Sequence, residues 1–153
     1  LHLGFKWRSE GDGTDGRMAR YTCFPLLSTH DILARIEQVY DCAPTRTGPE
    51  LVMGIVRRAA AANPRTLFLY MEATEEGNSR TAFDVNLYKS GLIMRDIDPY
   101  LRGLGQHYGL PESEFLPFID RIGPYLLGHV SGGLDQAGND ATTLYYETLA
   151  LDP

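Results

Sequence analysis

Cysteine is nearly absent from this chain. Cys23 and Cys42 are the only two among 153 residues. One falls in a strand-like segment and the other in a loop, so neither a disulfide framework nor a zinc site is suggested. Cations are the minority charge, with 14 Lys and Arg against 20 Asp and Glu and a net charge of -6. That balance excludes the clustered basic footprint needed to displace counterions from nucleic acid. Long apolar runs are missing too: none approaches the roughly 18 residues of a membrane span. The first residues lack the charged-then-apolar layout of a secretion signal, so a cytoplasmic location is expected. No Gly-rich strand-to-helix loop is available to cradle a nucleotide. The four histidines, at 2, 30, 107 and 129, show no paired metal spacing. Leu1 stands where a methionine would, with a strand starting within a few residues, an opening that reads as trimmed.

What is present is ordinary globular material, 43% hydrophobic and 22% charged, enough for one domain with a real core. Its main feature is internal repetition. Three segments read as hairpins: Leu3 to Arg8 with Met18 to Leu27, Thr66 to Ala73 with Arg80 to Lys89, and His129 to Leu134 with Ala141 to Leu149. Each has a polar, glycine-bearing turn, and Gly-Asn recurs at 77 and 138, a spacing of 61. Gly and Asn accept the positive φ of such turns, so the hairpin explains them without any ligand.

Two helices follow each of the first two hairpins. Ser28-Thr29-His30-Asp31 reads as a capping box opening a helix whose apolar stripe is Ile32, Leu33, Ile36, Val39 and Tyr40. Thr47-Gly48-Pro49-Glu50 opens the next, and Asn63-Pro64 stops it. Asp96, Asp98 and Pro99 suit a third N-terminus, with Gly109-Leu110-Pro111 as its end. Glu112-Ser113-Glu114 starts a fourth, broken at Gly123-Pro124.

Paired antiparallel helices return the chain to the sheet edge it left, so each hairpin can add antiparallel to the one before. The expectation is a single α+β domain: a six-stranded antiparallel sheet of ββαα repeats, with four helices on one face. It comprises about two and a half modules, 1–63, 64–127 and 128–153. Alternation predicts Phe83, Val85 and Leu87 toward the helices and Asp84, Asn86 and Tyr88 away. Likewise Leu144 and Tyr146 face inward against Thr143, Tyr145 and Glu147. In the first hairpin Tyr21 and Cys23 are expected toward the helices, with Arg20, Thr22 and Phe24 outward.

This layout resembles the repeat of the ABBA (αββα) aromatic prenyltransferases. The stretch Phe83-Asp84-Val85-Asn86-Leu87-Tyr88, a helix, Tyr108-Gly109-Leu110-Pro111, a second helix and a hairpin to Thr143-Leu144-Tyr145-Tyr146 is similar to that family's central modules. Gly4-Phe5-Lys6-Trp7-Arg8 is similar to one of its basic strands. The resemblance implies a barrel interior in which Lys6, Arg8 and Arg20 hold a prenyl diphosphate. Tyr88 and Tyr145 would shield an allylic cation there, beside Asp84 and Asn86. Cations stabilise charge on the leaving diphosphate, and aromatic faces stabilise the carbocation. A bound diphosphate would bring Mg2+. The chain departs from the family in length, which is about half of what a closed barrel requires.

Other constellations fit bland roles. Asp96-Ile97-Asp98 reads as helix N-terminal acids in preference to a magnesium pair. The loop Gly11 to Gly16 has oxygen ligands, but an EF-hand loop from Asp12 would need an acid where Cys23 stands. A hydrolytic triad of Asp84, His129 and Ser131 can be written down, yet no G-x-S-x-G elbow accompanies it. Two function classes follow. One is small-molecule binding or transfer, prenyltransferase-like, on the polar sheet face. The other is a non-catalytic interaction or assembly domain that engages a partner protein through its sheet face or edges. The exposed edges of an open sheet predict a homo-oligomer.

Overall fold

The computed structural model describes residues 2–6, 17–75, 81–135 and 137–147. The turn Gly11 to Gly16, with the calcium-like spacing, lies outside them, as do Arg8, Gly77-Asn78 and the last six residues.

The helices form where local chemistry directs. In α1 (Thr29–Val39) the Ser28 hydroxyl accepts from the backbone N–H of Asp31 while the Asp31 carboxylate accepts from that of Ser28, a reciprocal cap. The Ser28 hydroxyl also donates to Asp31 at 2.6 Å, and this bond holds the carboxyl below its ordinary range. Helix α2 (Thr47–Ala62) ends at Asn63, ahead of Pro64. A 3-10 turn at Met94–Ile97 leads into α3 (Asp98–His107), and α4 (Glu112–Ile122) ends at Gly123. The Asp96 carboxylate accepts from the backbone N–H of Ile93, and Asp98 pairs with Arg102 at 2.7 Å, so both acids are engaged in local helix-start contacts.

The strands are β1 (His2–Lys6), β2 (Arg17–Phe24), β3 (Leu69–Glu75), β4 (Thr81–Asn86), β5 (Leu126–Leu134) and β6 (Asp140–Glu147). They lie in sequence order, every neighbouring pair antiparallel, in an open sheet. The body of the sheet is β2 to β6, and the five-residue β1 adds at its edge.

Cross-strand rows fix the faces, because directly opposed residues point the same way. The row Phe24, Tyr70, Val85, Val130, Leu144 faces the helices, as does Thr22, Glu72, Phe83, Gly132, Thr142. Their interior members are buried with Ile32, Ile36, Tyr40, Val52, Ile55 and Ile97 in one core. The intervening rows, Cys23, Met71, Asp84, Ser131, Thr143 and Tyr21, Ala73, Ala82, Gly133, Ala141, form the other face.

The second and third hairpins follow the expected alternation. Phe83, Val85 and Leu87 are buried, and Leu144 and Tyr146 pack on the core while Thr143 and Tyr145 are exposed. The first hairpin does not. Phe24 faces inward, its ring 5.9 Å from that of Tyr70 and 4.2 Å beneath the Arg35 guanidinium of α1. Tyr21 and Cys23 therefore lie on the open face, and Arg20 and Thr22 share the parity of Phe24. The largest apolar side chain decides the orientation, and it outweighs the mildly apolar Ala19, Tyr21 and Cys23. Strand β4 also stops at Asn86, short of the expected Lys89, and Tyr88–Ser90 form a 3-10 turn.

Candidate functional site

The sheet face opposite the helices carries a trough of about 420 Å3. Its floor is the small-residue row Ala73, Ala82, Gly133, Ala141, and its walls include Tyr21, Met71, Asp84, Ser131 and Tyr145. The floor is low because those side chains are hydrogen or methyl.

At one end of the open face stands a cluster of polar and aromatic groups. Nδ1 of His129 is 2.7 Å from Oδ1 of Asp84, both side chains about a quarter exposed. The His129 ring is flanked edge-on by Tyr88, at 5.3 Å and 85°, and by Tyr145, at 5.9 Å and 71°. Burial and then the nearby Glu147 carboxylate raise the Tyr88 hydroxyl above its ordinary value.

A β-bulge makes this arrangement. The β5–β6 register shifts between Leu127 and His129, with Gly128 as the extra residue. Strict alternation would put Leu127 and His129 on one face. The bulge lets Leu127 and Val130 both point inward, fully buried, while His129 emerges between them. Glycine lets Tyr88 approach here, since a Cβ on residue 128 would meet the Tyr88 hydroxyl at 2.8 Å and the Tyr145 carbonyl at 3.1 Å.

Of the residues expected at a site, Asp84, Tyr88 and Tyr145 come together around His129. Asn86 lies beside them but turns its side-chain oxygen to the backbone N–H of Tyr88, at 3.3 Å, closing the local turn. Arg20 is exposed on the helix-side parity, away from this cluster. The Lys6 backbone pairs with Arg17, and Arg8 lies outside the described residues. Between Ala19 and Glu147 the strands bring no Lys or Arg to the open face. No hydrogen bond joins Ser131 to His129 among the described residues, so the triad lacks its nucleophile contact. Nor do the described residues contain a group of three His, Cys, Asp or Glu able to hold a metal ion. None of their helices is long and apolar enough to cross a membrane.

Sequence reading named His129 only with Asp84 and Ser131 in a triad, and did not place it between Tyr88 and Tyr145. The available signal was a lone glycine inside an apolar strand, Leu127-Gly128-His129-Val130, which marks a bulge.

A second polar cluster sits on the helix side. Asp140, its side chain 6% exposed, takes His107 Nε2 at 2.9 Å and the Tyr108 hydroxyl at 2.9 Å, and Tyr108 also bonds Thr142 at 3.0 Å. Burial, foremost, pushes the Tyr108 hydroxyl up to about 12. This cluster ties the end of α3 to the start of β6. A larger hollow of about 680 Å3 lies beside α1. There Arg35 pairs with Glu72 at 2.9 Å, and Asp135 accepts from the backbone of Ala137 and Asn139. The open-face cluster is the stronger candidate because its imidazole is not fully engaged.

Comparison with known proteins finds no match: no family model, no curated protein and no solved structure is similar to this chain.

Proposed function

We propose that this protein binds a small aromatic molecule in the trough of its open sheet face and acts there as a prenyltransferase-like transferase. The observation that carries the reading is the cluster of Asp84, His129, Tyr88 and Tyr145, two of which, Asp84 and Tyr145, also line a trough that no described helix covers. A flat floor of small residues bordered by tyrosines suits a planar ring. Aromatic faces also stabilise a developing carbocation. In this reading the two and a half ββαα modules are part of an αββα-type barrel. Lys6 and Arg8 of the first hairpin supply the charge that meets a diphosphate, with Mg2+ when it is bound, and Arg20 has no part in it.

Isothermal titration with dimethylallyl diphosphate and with a phenolic acceptor tests this directly. Saturable binding of both, with the diphosphate lost in Lys6→Ala or Arg8→Ala and the acceptor retained, supports it. Failure of the wild type to bind either one sinks it.

A second reading is favoured by the edge of the sheet. Strand β6 pairs only with β5 among the described strands, and beside it an apolar cleft of about 220 Å3 runs between α3, α4 and Leu144 and Tyr146. That edge fits assembly with a protein partner, in the simplest case a second copy of this chain. Light scattering that finds only monomer at micromolar concentration would remove the homo-oligomer.

A further inference from the structure

We infer that Asp84 and His129 form a proton-accepting pair that takes the hydroxyl proton of a phenolic ligand seated on the open face; this rests on the small-molecule reading above. The carboxylate of Asp84 can only accept, so Nδ1 of His129 carries the hydrogen and donates it across 2.7 Å. That tautomer leaves the lone pair on Nε2. Among the described residues Nε2 has no hydrogen-bond partner, and no fully buried side-chain nitrogen or oxygen lacks one, so Nε2 reaches the surface, next to Asp84 and Tyr145, which line the trough. Tyr88 and Tyr145 both pack at steep angles against the imidazole, which restrains its orientation.

The groups facing His129 are Asp84 from β4, Tyr145 from β6 and Tyr88 from the turn after β4, with Glu147 beyond Tyr88. No cation is among these described groups, so beside His129 the imidazolium itself is the positive partner of an anion formed on the ligand. In the transfer, the ligand's O–H bond breaks with its electron pair left on oxygen, and an N–H bond forms at Nε2. Asp84 keeps its charge and holds the imidazolium. A phenol suits this pair better than an aliphatic alcohol because proton transfer is efficient when donor and acceptor have similar affinities for the proton. The ring also has a place to lie, over the alanine and glycine floor beside the half-exposed Tyr145. Electron density released from the oxygen enters the ring, which becomes the better nucleophile toward an electrophile held alongside. His129 is the proton acceptor and Asp84 the positioning residue.

The probe is 4-nitrophenol, whose phenolate has its own visible absorption band. With the intact protein, the bound probe is expected to show that band at pH values where the free probe is still protonated. His129→Gln should still bind the probe, by equilibrium dialysis, though more weakly because the imidazolium–phenolate pair is lost, and should show no excess phenolate. In Asp84→Asn the excess phenolate should fall about tenfold or more, since an adjacent opposite charge alters proton affinity by one or more powers of ten. Unchanged circular dichroism and urea midpoints in both variants exclude unfolding as the cause. If Asp84→Asn disturbs the fold, His129→Ala with added imidazole restoring the band serves in its place. Binding by the wild type with no excess phenolate, or a band that survives His129→Gln, overturns the proton-accepting pair and leaves the ligand site standing. No binding of the probe at millimolar concentration overturns both.

Discussion

Replacing Gly132 with alanine should destabilise the protein, and the Tyr40 hydroxyl should decide by how much. Gly132 lies in β5 on the helix side, where Tyr40 is fully buried and donates to the carbonyl of Ala141 at 3.1 Å. A Cβ at residue 132 would overlap that hydroxyl oxygen and lie 2.7 Å from the Ala141 carbonyl oxygen and 3.2 Å from the Phe83 ring. Tyr40 cannot swing aside, because its ring is packed edge-on against Phe83 at 5.6 Å. Such overpacking costs about 1–3 kcal/mol, here near the upper end, offset by about 0.5 kcal/mol from the stiffer unfolded chain, for a net of roughly 2. Tyr40→Phe alone gives up one hydrogen bond, about 1 kcal/mol. If the hydroxyl is the main obstacle, removing it makes room for the methyl group. The double variant should then lose about 2 kcal/mol instead of the additive value of about 3, a coupling of about 1 kcal/mol. Urea unfolding of the four proteins, with m-values held in common, measures the cycle. Additivity within about 0.4 kcal/mol would refute the placement of the Tyr40 hydroxyl over Gly132.

Three further outcomes follow from the same structure. Ser28→Ala removes the reciprocal cap of α1 and should cost about 1 kcal/mol in urea denaturation, whereas Ser28→Asp should restore most of it. Gly128→Ala should displace Tyr88 and weaken binding of a phenolic ligand at the open face at least about tenfold, with a stability loss of about 1–2 kcal/mol; unaltered binding would remove the bulge from the site. Burial raises the hydroxyls of Tyr40 and Tyr70 far above the ordinary tyrosine range and that of Tyr108 to about 12. A raised tyrosine pKa contributes stability that is whole below the unfolded-state value and is lost as pH climbs from there through the folded value. Ultraviolet titration should therefore find these three phenols silent at pH 10 in the folded state and ionising together with alkaline unfolding. In Tyr108→Phe, part of the stability loss between pH 10 and 12 should disappear.

The parts of the fold written locally were readable in the sequence. Ser28 with Asp31, and Asn63 with Pro64, mark helix ends because cap hydrogen bonds and proline geometry involve only neighbours in the chain. Alternation placed Asp84 and Tyr145 correctly because each faces opposite an unambiguous apolar row, Phe83 with Val85 and Leu144 with Tyr146. In β2 both rows mix apolar and polar side chains, and only the fit of Phe24 between Tyr70 and Arg35 decides, a contact made with residues 11 to 46 positions away. The pairing of Asp84 with His129 was harder still, since it depends on a one-residue slip in β5 that brings together side chains 45 positions apart.

The strictly sequential strand order carries a consequence for how the molecule comes apart. Each strand is hydrogen-bonded to its neighbours in the chain and to no other, so losing an outer strand leaves the ladders further in unbroken. Hydrogen exchange should then grade inward from β6 toward β3 and β4, with β5 opening in advance of β4. The two halves of the open-face pair, Asp84 on β4 and His129 on β5, would separate in partial openings that leave β2 to β4 intact, so the dyad can be lost well below the midpoint of global unfolding.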